Sequence, residues 1–391
     1  MHLLGPFKRR TLADLLADAV ANPATARVGG RLIAAPARIA LPALPTGRHV
    51  FGHGNITQHP PGADWSEDGY ESVAAWLCAF HDVLVFGDAG IVVIDDVVVA
   101  DTLLQTHPET HAYRVVGDAI VLETEGPAVD LPGRCLSLLS FNHANYYHWT
   151  IDALGRLGAA DETLLAACDR VLAPALEQDF QRQGFARTGL ADRFPVHTVG
   201  PRTLFQVECL EVPWSLTCDH RPHPLLPAMF RGWADGAPAA GRNWPARIYV
   251  DRRGGANRRM VNEDALVDAL AGLGFVPVRL EALDLADQIG LFAHAHCIVA
   301  PHGAGLANLV FARPGTAVVE IHVDAWVNWC FRRLAAVCGL DYDCALGRVL
   351  PGSESVWINR RAWQVSVLHV TGAVQQALVQ MAARPALGSA P

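Results

Sequence analysis

The stretch VAPHGAGLANLVF, residues 299–311, holds a histidine and two glycines between an apolar run and a run with helical spacing. Gly303 and Gly305 have no Cβ, so the backbone there can approach a ligand closely. A helix beginning near Ala304 would present free N–H groups and the positive end of its dipole, which suit phosphate. His302 could hydrogen-bond the same anion or a sugar hydroxyl. The motif fits a tight strand–helix turn equally well, and it lacks the G-x-G-x-x-G pattern of dinucleotide-binding proteins.

Four arginines crowd the segment YVDRRGGANRRMVNED, residues 249–264, in a chain of net charge −8. Guanidinium groups bind phosphate oxygens in pairs, so this segment predicts a diphosphate site. A solvated loop of ion pairs is the alternative. We favour the diphosphate because the segment follows a predicted strand and opens on the same sheet edge as the His302 turn. These arginines are Arg252, Arg253, Arg258 and Arg259.

The segment FNHANYYHWTIDALGRL, residues 141–157, contains the elements of a general base. His148 and Asp152 are four residues apart on a helix predicted over 145–160, so they share one face, and Arg156 extends the row. A carboxylate beside an imidazole is a general-base arrangement, and the neighbouring aromatic rings suit a sugar. A helix packed by its aromatics, with a structural His–Asp–Arg ladder, is the alternative.

Two carboxylate features lie nearer the C-terminus. Glu320 ends the predicted strand of TAVVEIH, where a carboxylate could accept hydrogen bonds from ribose hydroxyls. Asp341 and Asp343 form a D-x-D pair of the type that binds divalent ions, but matches of three residues are common by chance. We therefore predict no metal site.

The composition indicates a globular protein of two domains. The chain has 391 residues, of which 51% are hydrophobic and 18% charged, and its net charge of −8 argues against nucleic acid as a partner. The apolar runs are far shorter than the roughly 20 residues of a membrane span, which leaves peripheral contact as the expected limit of membrane association. Nine cysteines without a C-x-x-C pair, and no secretory signal, predict free thiols and a cytoplasmic location.

The chain changes pattern along its length. We predict an N-terminal domain over 1–235, which is strand-rich over 75–135 and α/β over 136–235. Residues 1–75 match no pattern. The segment DGAPAAGRNWPA, residues 235–246, has the composition of a linker.

A second domain is predicted over 246–350, followed by a tail, 351–391, whose helix packs back toward the N-terminal domain. Alternation of strands and helices in the second domain predicts a parallel, doubly wound sheet whose ligands bind beyond the carboxyl ends of the strands. The expected strands are 247–250, 276–280, 297–300 and 317–321. The expected helices are 263–273 with Asn262 as its cap, 284–294 with Asp284 as its cap, one after the glycines, and 326–339.

Three motifs, in this order and spacing, resemble glycosyltransferase family 61: N-Y-Y-H-W-x-x-D-x-x-x-R-L, the RR…NRRMVNE segment and PHGAGLANLVFARPGTAVVEI. The resemblance covers roughly residues 80–345. The family includes plant xylan arabinosyl- and xylosyltransferases, the animal EGF-domain O-GlcNAc transferase and bacterial polysaccharide-biosynthesis proteins. Gly155 stands where the family often has proline and Ala300 where glycine is common, but neither departure removes a functional group.

The resemblance implies a GT-B fold, in which two Rossmann-like domains face each other across a cleft. The domain over 246–350 would bind a nucleoside-diphosphate sugar, with a UDP-sugar favoured, and the N-terminal domain a glycan acceptor. It implies transfer with inversion, without cofactor or metal, and suggests bacterial surface-polysaccharide synthesis (capsule or lipopolysaccharide). A non-catalytic carbohydrate- or nucleotide-binding protein on the same scaffold and an NAD-dependent oxidoreductase are the alternatives.

The expected site residues follow from these motifs. In an inverting transfer one base takes the proton of the acceptor hydroxyl. We favour Asp152 as this base with His148 orienting it, and the reverse also fits because a neutral histidine is a competent base. The expected donor-binding residues are Arg252, Arg253, Arg258, Arg259, His302, Gly303, Ala304, Gly305, Asn308 and Glu320. The expected acceptor-binding residues are Asn145, Tyr147, Trp149 and Arg156.

Overall fold

The computed structural model describes residues 2–44, 50–51, 54–55, 61–235, 243–254, 258–352 and 360–383. Most of the predicted linker, 236–242, lies outside the described residues, as do parts of the predicted tail. The described chain mixes helices with several sheets, which confirms the predicted α/β class.

The strands of the described residues are numbered in chain order. They are β1 (His2–Arg10), β2 (Val28–Ala34), β3 (Arg38–Ala40), β4 (Val50–Phe51), β5 (Gly54–Asn55), β6 (Gly69–Glu71), β7 (Ala75–Phe86), β8 (Ile91–Ile94), β9 (Val97–Val99), β10 (Tyr113–Val116), β11 (Ala119–Thr124), β12 (Val129–Ser137), β13 (Arg170–Pro174), β14 (Val196–Val199), β15 (Leu204–Pro213), β16 (Thr217–Cys218), β17 (Arg221–Pro222), β18 (Arg247–Val250), β19 (Val276–Val278), β20 (Cys297–Pro301), β21 (Ala317–Val323), β22 (Asp341–Val349) and β23 (Trp363–Val365).

The helices are numbered in the same way. The α-helices are α1 (Leu12–Ala21), α2 (Glu162–Ala167), α3 (Asp179–Arg187), α4 (Leu190–Arg193), α5 (Leu226–Asp235), α6 (Glu263–Ala271), α7 (Leu285–His294), α8 (Cys330–Cys338) and α9 (Val367–Ala382). The 3₁₀ segments are Ala100–Leu103, Leu154–Ala159, Leu280–Ala282 and Ala304–Phe311, and His148–Ala153 is a π-helix. None of the helices among the described residues is long and apolar enough to cross a membrane.

The chain divides into two compact units, and the division departs from the predicted domains. The first unit combines Met1–Pro36 with Val73–Thr217, and the second combines Ala37–Ser72 with Cys218–Pro391. The early segment joins the second unit through hydrogen bonds from α8. Arg332 donates to the carbonyl of Pro42 at 2.7 Å, and Arg333 pairs with Glu67 at 2.9 Å. Contacts of such long sequence separation leave no local pattern, so composition could not reveal them.

The second unit is built on a six-stranded sheet of order β19-β18-β20-β21-β22-β23. All neighbours in it are parallel except β22 and β23, as alternating strands and helices predict. The strand predicted over 247–250 has the same bounds in the structure. The bounds of the other three predicted strands differ from the observed ones by two residues at most. The central strands β20 and β21 are buried on both faces, as their Val- and Ile-rich sequences require.

Helices cover both faces of this sheet. The side chains of α6 and α9 pack with one face of β18, β20 and β21 in a single apolar cluster. The tail helix α9 thus belongs to the core of the second unit, where Val370 and Val374 are fully buried. Its apolar face packs with α6 against the same face of the sheet. The prediction that this helix packs toward the N-terminal domain stays a prediction.

Two helix N-termini show where the local sequence determines the cap and where a distant contact does. Asp284 caps α7 as predicted, because its carboxylate accepts from the N–H of Asp287 at 2.7 Å. Asn262 precedes α6 but does not cap it. Its amide instead exchanges two hydrogen bonds with the backbone of Val365 on β23, at 2.8 and 3.0 Å. A distant strand thus takes the side chain that the sequence assigned to the helix.

The first unit contains a mixed sheet of order β10-β11-β1-β9-β8-β7-β15-β12-β13-β14, in which β2 also pairs with β7. β12 runs parallel to β13 and β15, whereas β7 pairs antiparallel with β8 and β15. Its core is rich in β-branched residues from β7, β8 and β15. The π-helix His148–Ala153 follows β12 and is buried over most of its length.

Candidate functional site

The sheet of the second unit has a topological switch point between β18 and β20. β18 and β20 are neighbours in the sheet, but the helices that follow them pack against different partners. α6 packs with α9, whereas the 3₁₀ helix Ala304–Phe311 packs with α7 and α8. The two loops therefore part at the carboxyl edge of the sheet. Ligands of doubly wound sheets bind in the crevice that such a parting leaves.

Two guanidinium groups meet at this crevice. Arg252 and Arg258 each donate to the carbonyl oxygen of His302, at 3.0 and 2.9 Å. No carboxylate of the described residues forms an ion pair with either group, and Nε of Arg258 is buried without a described partner. Burial, and then the nearby charge of Arg252, lower the pKa of Arg258. Two like charges held together without an acid favour an anion between or beside them.

The loop that carries Arg252 and Arg258 has a strained backbone at Arg258. Arg258 has a φ of 55°, which places a non-glycine residue in the left-handed region. The indole of Trp363 donates to its carbonyl oxygen at 2.8 Å and helps to hold that conformation. At Gly303 a Cβ would collide with the guanidinium of Arg252. Gly303 therefore makes room for an arginine, and through it for a ligand.

Other residues predicted for the donor site have different surroundings. A Cβ on Gly305 would lie 2.8 Å from Leu280, so this glycine serves packing. The guanidinium of Arg253 binds both oxygens of Asp251 and also Asp264, which raises its pKa. Arg259 is exposed. Among the described residues it forms one hydrogen bond, in which its backbone carbonyl accepts from the N–H of Trp363. The four arginines are thus not equivalent, and two of them face the crevice.

His302 is oriented from behind by a buried network. Its Nδ1 lies 2.5 Å from Oε1 of Glu320, and Oε2 of Glu320 accepts from the hydroxyl of Tyr342 at 2.6 Å. The ring of His322 completes the group, with Nε2 3.3 Å from Glu320. Because an ionised carboxylate only accepts, His302 carries its proton on Nδ1 and offers Nε2 as an acceptor. A sugar or ribose hydroxyl suits that nitrogen.

The burial of Glu320 corrects the prediction that it binds ribose, because the side chain has no exposed surface. Burial alone would raise its pKa, but His322 and the bond from His302 outweigh this and hold that pKa far below its ordinary range. Asn308 is buried too and donates to Gln288 and to the carbonyl of Gly305, so it braces the helix that Ala304 begins.

Metal-ligand groupings are sparse in the part of the chain that the structure describes. One group qualifies, His302, Glu320 and His322, whose ligand atoms lie within 4.8 Å of one another. Their hydrogen bonds to each other and to Tyr342 account for that closeness. Asp341 and Asp343 lie at the amino end of β22, opposite the edge where His302 lies. The prediction of metal-independent chemistry stays a prediction.

The His148–Asp152 pair forms in the first unit, although its helix is not the regular α-helix that was predicted. Residues 148–153 are a π-helix, a rare element that occurs frequently at functional sites. Nδ1 of His148 lies 2.7 Å from Oδ2 of Asp152, and Oδ1 of Asp152 accepts from the hydroxyl of Thr217 at 2.5 Å. Asp152 is buried and uses both oxygens, so Nε2 of His148 is the free basic atom of the pair.

The predicted acceptor-binding residues are mostly core residues. Trp149 is 1% exposed and Tyr147 is buried against the ring of His148. Arg156 is buried, donates to the carbonyl of Leu139 at 2.8 Å, and has a pKa lowered by burial to about 10. Asn145 is exposed, and its Oδ1 accepts from the N–H of Tyr147 at 2.9 Å. The aromatic side chains therefore brace the π-helix, which corrects their assignment to sugar stacking.

Sequence reasoning missed a cleft of about 440 Å³ beside His148. Its lining includes Asp88, His107, His111 and His143, all in the first unit. The sequence carried one signal, a concentration of histidines between 107 and 148. In the second unit Trp326 was also missed, because it was assigned to a helix. Its indole is 43% exposed, and its ring centroid lies 6.4 Å from that of His302.

Part of the sequence is similar to known glycosyltransferases. Residues 146–319 match the family model described as Glycosyltransferase 61. This confirms the resemblance over the matched segment, which holds His148, Asp152, Arg252, Arg258 and His302. A beta-1,2-xylosyltransferase of Arabidopsis thaliana is 30% identical over 105 residues, which cover 23% of this chain. The match spans only 20% of the length of that relative.

The buried state of His302 predicts a pH-dependent contribution to stability. Burial lowers its pKa below the ordinary 6.5. As pH falls through that value the unfolded chain binds the proton first, so the free energy of unfolding decreases. We expect His302→Gln to reduce the stability lost between about pH 7 and about pH 5, by at most about 1.4 kcal/mol per pH unit. Urea denaturation at both pH values measures this.

His197→Gln, on β14 of the first unit, is the control and should keep the wild-type pH dependence. If His302→Gln and wild type lose stability in parallel, the histidine does not resist protonation in the folded protein.

Proposed function

We propose that this chain is an inverting glycosyltransferase that moves a sugar from a nucleoside-diphosphate sugar to a glycan acceptor. One observation carries the proposal: the guanidiniums of Arg252 and Arg258 converge on the carbonyl of His302, at a switch point of a parallel sheet, without an acid partner among the described residues. That arrangement suits a diphosphate, the leaving group of such a donor.

The chemistry of the donor follows from where charge develops. As the bond between the anomeric carbon and the phosphate oxygen breaks, negative charge accumulates on the diphosphate. Arg252 and Arg258 would stabilise that charge, together with the N–H groups that begin the helix Ala304–Phe311. The half-exposed indole of Trp326 offers a face for the base or the sugar ring. Stabilisation by these groups would need no metal.

The acceptor needs one base, and the geometry favours His148. The sequence favoured Asp152, but both oxygens of that carboxylate are occupied, by His148 and Thr217. Asp152 would therefore orient the imidazole and stabilise its protonated form, while Nε2 takes the proton of the attacking hydroxyl. A single base and a direct displacement would invert the anomeric centre.

The same proposal includes the GT-B arrangement of domains that the resemblance implies and a UDP-sugar as donor. It also includes a role in bacterial surface-polysaccharide synthesis in the cytoplasm. Because a beta-1,2-xylosyltransferase shares 30% identity with part of the chain, UDP-xylose is the first donor to test.

The first test concerns the diphosphate. We expect Arg258→Ala to weaken UDP binding by about tenfold or more, since a hydrogen bond to a charged group contributes roughly 1.5–3 kcal/mol. Isothermal titration calorimetry with UDP, and with NAD as the rival ligand, measures this. Arg247→Ala is the matched control, because Arg247 lies on the same sheet at the amino end of β18 and donates to Leu273. Equal losses in both variants, or tighter binding of NAD, would overturn the donor assignment.

The second test concerns the base. Loss of a general base lowers turnover by roughly 10²–10⁴-fold, so we expect His148→Ala to reduce transfer from the UDP-sugar by at least about a hundredfold while UDP affinity stays near wild type. Asp152→Asn should reduce kcat as well, because the amide can place a donor against Nδ1 and favour the wrong tautomer. Transfer near the wild-type rate in His148→Ala would locate the base elsewhere.

A further inference from the structure

The cleft beside His148 contains a carboxylate that a second histidine holds in place. Asp88 lines the cleft, and its Oδ2 lies 3.1 Å from Nε2 of His143. Both side chains are largely shielded, with 21% of Asp88 and 16% of His143 exposed. The cleft volume of about 440 Å³ is in the range of sites for small molecules.

The protonation of His143 follows from its neighbour Gln181, which is 1% exposed. Oε1 of Gln181 accepts from the backbone N–H of Gln178 at 2.8 Å, which identifies Nε2 as the amide nitrogen. That nitrogen donates to the carbonyl oxygen and to Nδ1 of His143, both at 3.1 Å. Nδ1 is therefore an acceptor, so His143 is neutral and its Nε2–H donates to Asp88. The relay fixes one oxygen of Asp88 and leaves the other available.

The charges around the cleft restrict what can bind. Its lining has one carboxylate, that of Asp88, and no lysine or arginine among the described residues, so the negative charge would repel an anionic sugar. Gln105, Thr110 and Asn142 offer further hydrogen-bonding groups, and Phe141 offers an aromatic ring whose centroid lies 4.9 Å from that of His148. Donors, acceptors and a ring edge together suit a neutral sugar.

We propose that this cleft binds the acceptor as a neutral glycoside, anchored by hydroxyl groups that donate to Asp88, with His143 and Gln181 as positioning residues. The catalytic part rests on the proposed function. The hydroxyl oxygen presented to His148 bonds to the anomeric carbon, its proton passes to Nε2, and the bond to phosphate breaks with its electron pair on the diphosphate. Asp88 takes no part in the bond changes.

A matched pair of ligands tests the charge argument on the full chain. Methyl β-glucoside and methyl β-glucuronide differ only in the neutral hydroxymethyl or anionic carboxylate at C6. Saturation-transfer NMR should show binding of the glucoside and little binding of the glucuronide. Asp88→Asn should weaken glucoside binding by about tenfold or more, since a charge-assisted bond becomes a neutral one, and should reduce the discrimination. Asp130→Asn, an exposed site on β12, should bind as wild type does.

A positioning role for Gln181 has its own readout. In Gln181→Glu the carboxylate would draw a proton onto Nδ1 of His143, so the dependence of glucoside affinity on pH should differ from that of wild type. The relay is wrong if the two pH profiles coincide. The cleft assignment is wrong if no glucoside binds, if the glucuronide binds as well, or if Asp88→Asn binds normally. UDP calorimetry on the same samples separates these failures from failure of the donor site.

Discussion

The candidate donor site depends on two positive charges that the fold holds against one carbonyl oxygen. Left in solvent, the guanidiniums of Arg252 and Arg258 would separate, because like charges repel. The carbonyl of His302 accepts from both, Trp363 holds the left-handed turn at Arg258, and Gly303 leaves space for the guanidinium of Arg252. An anion beside the two groups would offset the cost of bringing the charges together, which is why we propose a diphosphate here.

Much of this arrangement could be predicted from local sequence. Alternating strand and helix patterns identified the parallel sheet of the second unit, and the strand 247–250 matches β18 in both bounds. Parallel strands end at one edge, so the loops after β18 and β20 had to meet there. The cap at Asp284 was predictable because an N-cap needs only its own helix. The His148–Asp152 contact survived a change of helix type because both side chains still project from the same short segment.

What could not be predicted depends on partners distant in the sequence. Arg252 and Arg253 are neighbours, yet Arg253 is neutralised by Asp251 and Asp264 while Arg252 reaches across to residue 302. Glu320 stands where a ribose ligand would, but Tyr342 and two histidines enclose it. Asp88 became significant only through His143 and Gln181, which lie 55 and 93 residues further along the chain. Periodicity carries no information about such pairings.

Two imidazoles of the described residues, those of His148 and His302, have a carboxylate at Nδ1, and the two pairs differ in their surroundings. In each pair a buried carboxylate takes Nδ1–H and leaves Nε2 as the acceptor. His302 lies beside Arg258, and both burial and that positive charge lower its pKa, so a proton gained there would be destabilised. His148 has Asp152, braced by Thr217, behind it and an open cleft in front of it. This geometry, a carboxylate at Nδ1 and an open cleft at Nε2, is the ground on which we propose His148 rather than His302 as the base.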